Sequence, residues 1–417
     1  MAASSTYHNP TAHTYLSPNA YNPSPSILAL HRSLPSYAPT PLISLPTTSP
    51  LSGICAPASS SLPTTHPPLP THLFLKDESL RFRLPAFKIL GASYACFRAL
   101  GSYLSLDGDG EGISFATLQA AVSASRVGGS SSTHPRPPIR FHAATDGNFG
   151  RAVARMAALL GVNATIYVPK IMVEKTRGLI RGEGADMVVV DADYDGAVGA
   201  ARRGAEEGGG GEEQAEGEKA VLIQDDSWEG YVEVPQWVVD GYSTMLVEID
   251  SQVASATRGA HARPTHIIVP VGVGSLAHAV VAHYKSSSTT SGALSAPPPE
   301  IIAVEPDTAA CLQSSLKVGK RLTVKTGDTE MCGMNCGTVS YLAWPHLRDG
   351  VDASVTVMDG EAREALKVLG EMGVRTGPCS SGTLAALLKM MRSREDVGRL
   401  GLGEDSVVVL LGTEGPR

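Results

Sequence analysis

The chain has 417 residues, of which 42% are hydrophobic, so it can bury a large core and form two domains or one large α/β unit. The net charge of −7 and the lack of a basic run argue against a nucleic-acid partner, and no apolar run reaches membrane-spanning length. The six cysteines are scattered without a paired CxxC motif, which argues against a zinc site and favours a reduced, cytoplasmic compartment.

The segment before Lys76 contains no acidic residue and is rich in Ser, Thr and Pro, a composition typical of transit peptides. It carries a single arginine, Arg32, and its prolines would interrupt an amphipathic targeting helix. We therefore interpret this segment as an extended arm that wraps a domain rather than as a removable signal.

Lys88 stands at the start of an apolar stretch within RFRLPAFKILGASYACFRAL (81–100). From Ile89 onward the apolar residues have helical spacing, and Pro85 stands where a helix can begin. Desolvation and the positive end of a helix would both favour the neutral, nucleophilic form of the amine. The alternative is that the lysine stem packs on the helix while its charged head reaches solvent.

Beyond Lys88, short β-branched runs alternate with longer amphipathic stretches, as where IRFHAAT is followed by DGNFGRAVARMAALLG. This alternation predicts an α/β fold of two lobes, in which parallel sheets are flanked by helices. Three polar or Gly/Pro-rich segments are predicted to be surface insertions, because none could bury a face: 125–138, 202–219 and 285–300.

In such folds ligands bind beyond the carboxyl ends of the strands, which selects the turns at Asp146, Gly272, Glu305 and Thr413 as candidate site positions. The first turn, TDGNFG, places the carboxylate of Asp146 and the amide of Asn148 before a predicted helix. The two side chains either contact a cofactor hydroxyl and a substrate, or simply cap the helix.

Two further turns carry polar side chains beside buried runs. QDDSWEGY (224–231) places Asp225 and Asp226 next to aromatic residues, where the carboxylates either serve a site or cap a solvated turn. VVVLLGTEG (407–415) ends in Thr413 and Glu414, which either cap a helix or present a hydroxyl to a ring nitrogen.

PVGVGSLA (270–277) follows an apolar run and opens a helical pattern. Gly272 and Gly274 allow backbone N–H groups to cradle a phosphate at the helix start. The turn also satisfies the loose dinucleotide pattern G-x-G-x-x-A, with Glu305 as the ribose partner, which would indicate a nucleotide-binding oxidoreductase or binding protein. A tight strand–helix turn without a ligand is the third interpretation.

These segments together resemble the diaminopropionate ammonia-lyase family of fold-type II pyridoxal-phosphate enzymes, within the superfamily similar to the tryptophan synthase β chain. The similarity keeps the family's order from about residue 28 onward and is interrupted only by the three insertions. The KDES…AFK block and the W-EGY-E-P-W block are specific to this family, whereas the glycine turn and TEG occur across the fold type. The resemblance implies α,β-elimination of 2,3-diaminopropionate to pyruvate and ammonia by a homodimer.

The resemblance also implies a role for each polar turn. Lys88 would hold pyridoxal 5′-phosphate covalently and take the α-proton of the L isomer, Asp146 would serve the D isomer, and Asp225 would lie near the substrate amines. The implied cofactor-binding residues are Lys88, Asn148, Gly272, Val273, Gly274, Ser275 and Thr413. The implied domains are a large cofactor-binding domain, 1–94 with 226–417, and a smaller α/β domain, 95–225.

Three features depart from the family pattern. Arg83 stands where the family usually has glycine, Phe149 where it usually has histidine, and the chain ends at Arg417 soon after TEG. The first two are expected to alter the rim of the site, and the third to remove chain that helps to close it. The resemblance further implies that Cys311 and Cys336 approach closely enough to form a disulfide on oxidation.

Two alternative functions stay open at this point. A serine/threonine dehydratase-like lyase would use the same cofactor and would prefer β-hydroxyl substrates, and the WEGY block argues against it. The other alternative, from a different class, is the nucleotide-binding protein that the glycine turn would serve.

Overall fold

The computed structural model describes residues 5–12, 15, 25–47, 51, 69–106, 114–126, 138–145, 147–206, 218–286 and 297–416. The chain forms two compact units. The large unit comprises Met1–Pro23, Ala38–Phe87 and Tyr242–Arg417, and the small unit comprises Ser24–Tyr37 and Lys88–Gly241. Most of each predicted insertion lies outside the described residues.

The strands within the described ranges are β1 (Thr6–His8), β2 (Leu42–Ser44), β3 (His72–Asp77), β4 (Ile139–Ala144), β5 (Asn163–Pro169), β6 (Asp186–Val190), β7 (Lys219–Leu222), β8 (His266–Pro270), β9 (Glu300–Pro306), β10 (Ala353–Val357) and β11 (Val407–Gly412).

The α-helices of the same ranges are α1 (Pro25–Ser33), α2 (Lys88–Tyr103), α3 (Phe115–Arg126), α4 (Asn148–Leu160), α5 (Glu174–Arg181), α6 (Tyr194–Glu206), α7 (Glu233–Gly241), α8 (Ser243–Ala256), α9 (Ser275–Tyr284), α10 (Cys311–Val318), α11 (Trp344–Gly350), α12 (Asp359–Glu371), α13 (Pro378–Met391) and α14 (Arg394–Leu400). None of the helices in the described part of the chain is long and apolar enough to cross a membrane.

The large unit is built on a seven-stranded sheet in the order β1-β10-β9-β8-β11-β3-β2. Its five inner strands are parallel, and β1 and β2 pair antiparallel at the two edges. The inner strands β8 and β11 are buried along their whole length, because their β-branched and leucine residues face apolar neighbours on both sides of the sheet. This arrangement confirms the predicted α/β class.

The edge strand β1 belongs to the N-terminal segment. Thr6 pairs with Val355 and His8 with Ala353, and the His8 ring nitrogen Nε2 lies 2.7 Å from Asp396 Oδ1. Asn9 continues this attachment, since its amide donates to the carbonyl oxygen of Val351 at 2.9 Å. Residues 5–12 therefore lie along the large unit, and the extended arm as a whole, up to Lys76, stays a prediction.

The small unit is built on four parallel strands in the order β6-β5-β4-β7. Strand β4 is fully buried, and β7 pairs with it in parallel, so both strands end at the same edge of the sheet. That edge therefore brings together the TDGNFG turn after β4 and the QDDSWEGY turn after β7.

The predicted domain limits, with 95–225 as the smaller domain, stay a prediction. The compact small unit has wider limits, since it contains the whole of α2 and α7. These two helices pack together, and Gly241 of α7 lies so near α2 that a Cβ there would come within 2.4 Å of the Leu90 carbonyl oxygen.

Candidate active site

Lys88 is the first residue of α2, and its amine faces a buried carboxylate. The Lys88 side chain is 24% exposed, and its Nζ donates a hydrogen bond to Asp225 Oδ2 at 2.5 Å. Asp225 itself is only 6% exposed. The lysine head therefore does not simply extend into solvent, because a carboxylate 137 positions later in the chain holds it.

Phe149 lies next to this pair, where the family usually has histidine. The Phe149 side chain is buried, and the centre of its ring lies 5.9 Å from Lys88 Nζ. An aromatic face at this distance attracts a cation without offering a proton-transfer group. The departure therefore changes the chemistry next to the lysine rather than a remote rim.

The turn after β4 presents Asn148 as the first residue of α4, where it is half-buried. Asp146, the other predicted site residue of this turn, lies outside the described residues. Of the two open interpretations, capping by Asn148 is not observed, because Thr145 Oγ1 accepts hydrogen bonds from the Gly147 N–H at 2.8 Å and the Gly150 N–H at 3.0 Å.

Thr145 was not identified from the sequence as the residue that caps α4, although a threonine shortly before a helix start is a common capping residue. Gly150 complements it, since a Cβ there would come within 2.3 Å of Thr145 Cγ2 and 2.8 Å of Ile166 Cγ2. The glycine thus lets α4 start directly against the strand end, and the side chain of Asn148 needs no capping role.

The glycine turn opens α9 in the large unit. Gly274 caps the helix with φ 97°, a left-handed conformation that favours glycine, and a Cβ there would come within 2.6 Å of Leu347 Cδ1. Val273 is held through its carbonyl oxygen, which accepts the Ser340 N–H at 2.8 Å, and Ser275 starts the helix as a buried residue. The turn is fixed in a geometry that suits phosphate binding by the amides of a helix start.

Gly272 is enclosed by two cysteines. Cys311 Sγ lies 3.9 Å from the Gly272 carbonyl oxygen, and a Cβ at residue 272 would come within 3.1 Å of Cys336 Sγ. Burial, Glu305 and Cys336 raise the pKa of the Cys311 thiol, so the thiolate needed for disulfide chemistry is disfavoured. Disulfide formation on oxidation stays a prediction.

Glu305 is fully buried at the end of β9, and its carboxylate is engaged by the start of α10. Its two oxygens accept hydrogen bonds from Leu312 N at 2.7 Å and Gln313 N at 2.8 Å. Burial raises the pKa of Glu305 to about 7. A carboxylate used in this way is not free to bind a ribose, which removes the main support for the dinucleotide interpretation.

The TEG turn after β11 makes hydrogen bonds to two other segments of the large unit. Thr413 is buried, and its carbonyl oxygen accepts the Phe87 N–H at 3.3 Å. Glu414 Oε1 accepts the Cys379 N–H at 3.2 Å and therefore caps the start of α13. The capping interpretation of this turn is correct for Glu414, which leaves the Thr413 side chain for another role.

A buried ion cluster forms at the end of β3. Lys76 and Arg81 pair with Glu78 and Glu248, and none of the four side chains is more than 6% exposed. Arg81 Nη2 lies 2.6 Å from Glu78 Oε1 and 2.7 Å from Glu248 Oε2. Burial would raise the pKa of the Glu248 carboxyl, but the hydrogen bond and charge of Arg81 hold it below its ordinary value. The sequence did not indicate this cluster, because KDES reads as a solvated charged run.

The segment between this cluster and Lys88 has an unusual backbone. Phe82 and Arg83 have φ values of 51° and 62°, in the left-handed region that strains any residue with a Cβ. The Arg83 side chain is exposed, while Phe82 is buried. A glycine at residue 83 would adopt this conformation without strain, which gives a physical reason for the glycine of the family at that position.

Comparison with known proteins places the chain in a wider context. The family model described as pyridoxal-phosphate dependent enzyme matches residues 34–413. The diaminopropionate ammonia-lyase of Salmonella typhimurium is 33% identical over 403 residues, which cover 93% of this chain and 88% of that protein. A biosynthetic L-threonine dehydratase of Corynebacterium glutamicum is 28% identical over 254 residues, covering 60% of this chain and 52% of that protein. The crystal structure of diaminopropionate ammonia-lyase from Escherichia coli in complex with D-serine matches with a TM-score of 0.77 and 27% identity, over 98% of this chain and 93% of that chain.

Proposed function

The chain belongs to the diaminopropionate ammonia-lyase family of pyridoxal-phosphate dependent enzymes, and from this premise we propose that it eliminates the β-amine of 2,3-diaminopropionate to form pyruvate and ammonia. The observation that carries the proposal is the hydrogen bond between Lys88 Nζ and Asp225 Oδ2 at 2.5 Å. It joins a primary amine at a helix start to a nearly buried carboxylate, which are the two groups that this reaction needs.

The residues of the chain fit the cofactor. Lys88 provides the primary amine that the aldehyde of pyridoxal phosphate requires, and the start of α9 provides amide groups and the Ser275 hydroxyl for a phosphate. Asn148 and Thr413 are proposed to hydrogen-bond the ring hydroxyl and the ring nitrogen. When bound, pyridoxal phosphate supplies an electron sink that makes the α-proton of an amino acid acidic.

Lys88 is proposed to move the α-proton of the L isomer. Its Nζ accepts a proton only as the neutral amine, so Lys88 can act as this base only in its unprotonated form. The α-hydrogens of the L and D isomers point to opposite faces of the bound substrate, and a base on one face cannot reach the hydrogen on the other. We therefore propose Asp146 as the base for the D isomer.

Asp225 is proposed to recognise the β-amine of the substrate. In the structure it accepts a hydrogen bond from the ammonium group of Lys88, and a substrate β-ammonium is a cation of the same kind. A β-hydroxyl group carries no charge, so the same carboxylate would attract serine or threonine much less. This difference favours an ammonia-lyase over a dehydratase.

The assignment is tested with purified holoenzyme, by the visible absorption band of the lysine-bound cofactor and by pyruvate formation. Lys88→Ala should lose both signals, while Lys170→Ala, whose side chain is 67% exposed beside Asp191, should keep both. Asp225→Asn should keep the band and lose turnover of diaminopropionate more than turnover of serine. A wild-type protein without the band would contradict the whole proposal, and one that consumes only serine would indicate the dehydratase.

We also propose that the enzyme is a cytoplasmic homodimer. The cytoplasmic location rests on the scattered cysteines, and the dimer rests on the family resemblance. Light scattering coupled to gel filtration measures the mass directly, and a mass near 43.5 kDa would mean a monomer.

A further inference from the structure

The backbone pairing between β7 and β4 ends shortly before Asp225, and the side chain of Gln224 accepts the next hydrogen bond from β4 in place of a backbone carbonyl. Backbone pairing extends to His142 and Leu222, and the Ile223 N–H still donates to the His142 carbonyl oxygen at 2.8 Å. The next N–H of β4 on this side, that of Ala144, donates at 3.0 Å to the side-chain oxygen Oε1 of Gln224. The backbone of residue 224 is thereby released to turn away from the sheet.

Gln224 is fully buried, and its polar groups are used in three directions. Its Nε2 donates to the Tyr194 hydroxyl at 2.9 Å, and its backbone N–H donates to the Tyr231 hydroxyl at 3.0 Å. The Tyr231 hydroxyl in turn donates to the Leu222 carbonyl oxygen at 2.9 Å. One tyrosine oxygen thus bridges the last residue of β7 and the residue that precedes Asp225.

The WEGY turn holds Tyr231 in this position. The Tyr231 N–H donates to the Trp228 carbonyl oxygen at 2.9 Å, and Gly230 supplies the positive φ of 87° that the turn requires. The two aromatic rings are stacked with centres 4.5 Å apart, and the Arg202 guanidinium lies 5.6 Å from the Trp228 ring. A hydroxyl fixed by a stacked ring and a tight turn has little freedom to move.

We propose that Gln224 and Tyr231 are positioning residues, which hold the Asp225 carboxylate in place and thereby set the preference for a β-ammonium over a β-hydroxyl substrate. The proposal rests on the proposed role of Asp225 in binding the β-amine. A charge-assisted hydrogen bond depends strongly on distance and direction, and a carboxylate that can move loses this discrimination while it still tolerates a neutral hydroxyl. This role also gives a physical meaning to the WEGY block.

The primary test is Tyr231→Phe in the holoenzyme, because this change removes the bridging hydroxyl and keeps the stacked ring. We expect kcat/KM for diaminopropionate to fall about tenfold more than kcat/KM for serine. Tyr167→Phe is the matched control. It removes a buried hydroxyl of the same unit, whose oxygen lies 3.1 Å from His142 Nδ1, so it should leave the ratio of the two substrates unchanged.

Two further measurements separate positioning from general stability. In an Asp225→Asn background, Tyr231→Phe should have no additional effect on the substrate ratio, because the group that it positions is gone. Hydrogen exchange of the substrate-free protein should become faster at residues 222–228 in Tyr231→Phe and stay as in the wild type in Tyr167→Phe. If Tyr231→Phe does not fold, Gln224→Met provides the same comparison with the tyrosine intact.

Equal losses on both substrates, or an unchanged ratio with only a lower Tm, would overturn the positioning role. These outcomes differ from failure of the proposed function. In that case wild-type holoenzyme would not release pyruvate from diaminopropionate, or Asp225→Asn alone would leave the ratio unchanged.

Discussion

Replacement of Arg83 by glycine should stabilise the protein, because Arg83 has an exposed side chain on a left-handed backbone with φ 62°. A residue with a Cβ is strained by about 1–2 kcal/mol in this region. Glycine relieves that strain but loses about 0.5–1 kcal/mol more backbone entropy on folding. The difference is a net gain of about 0–1.5 kcal/mol in the free energy of unfolding, with a middle value of about 0.75 kcal/mol.

The assay is denaturant unfolding of the holoenzyme followed by circular dichroism, with the slope of the transition checked to be unchanged. Arg83→Ala is the decisive control, because it removes the same side chain but keeps the Cβ, and it should not raise the midpoint. If the alanine variant gains as much as the glycine variant, the stabilisation comes from loss of the arginine side chain and the backbone argument is refuted. The glycine variant should keep the cofactor band, since Arg83 is assigned no contact with the cofactor.

Arg81→Met should destabilise the protein by about 3–5 kcal/mol, because it leaves the Glu78 and Glu248 carboxylates buried without their main cation. Arg399→Met removes an exposed ion pair and should cost below about 1 kcal/mol, and unfolding in urea measures both variants. The pKa of Glu305 is raised to about 7, so its protonated form stabilises the folded protein fully below pH 4.5, and this stabilisation is lost as the pH rises to 7. The free energy of unfolding of Glu305→Gln should therefore increase relative to that of the wild type between pH 4.5 and 7. A difference between the two free energies that stays constant with pH would contradict the assignment. Asp146→Asn should keep turnover of L-diaminopropionate and lose turnover of the D isomer, and equal losses on both isomers would rule out a two-base mechanism.

Local patterns in the sequence were sufficient for the α/β fold class. Runs such as IIV (267–269) and VVVLL (407–411) are β-branched or leucine at every position, which is what a parallel strand buried on both faces requires. The glycine turn at 272–275 and the helix start at Lys88 depend on residues within a few positions of each other. Such features can be recognised in the sequence because each one depends only on residues of its own segment.

Only the tertiary structure decided which groups act together. Asp225 lies 137 positions from Lys88, and Glu248 lies 167 positions from Arg81, so neither pair could be recognised from local spacing. Glu305 illustrates the same limit, because its sequence position suits a ribose ligand, whereas the folded chain engages its carboxylate at the start of α10. A charged side chain is buried at acceptable cost only next to an opposite charge or hydrogen-bonding group. The packing of segments distant in the sequence, and not the neighbouring residues, determines which group that is.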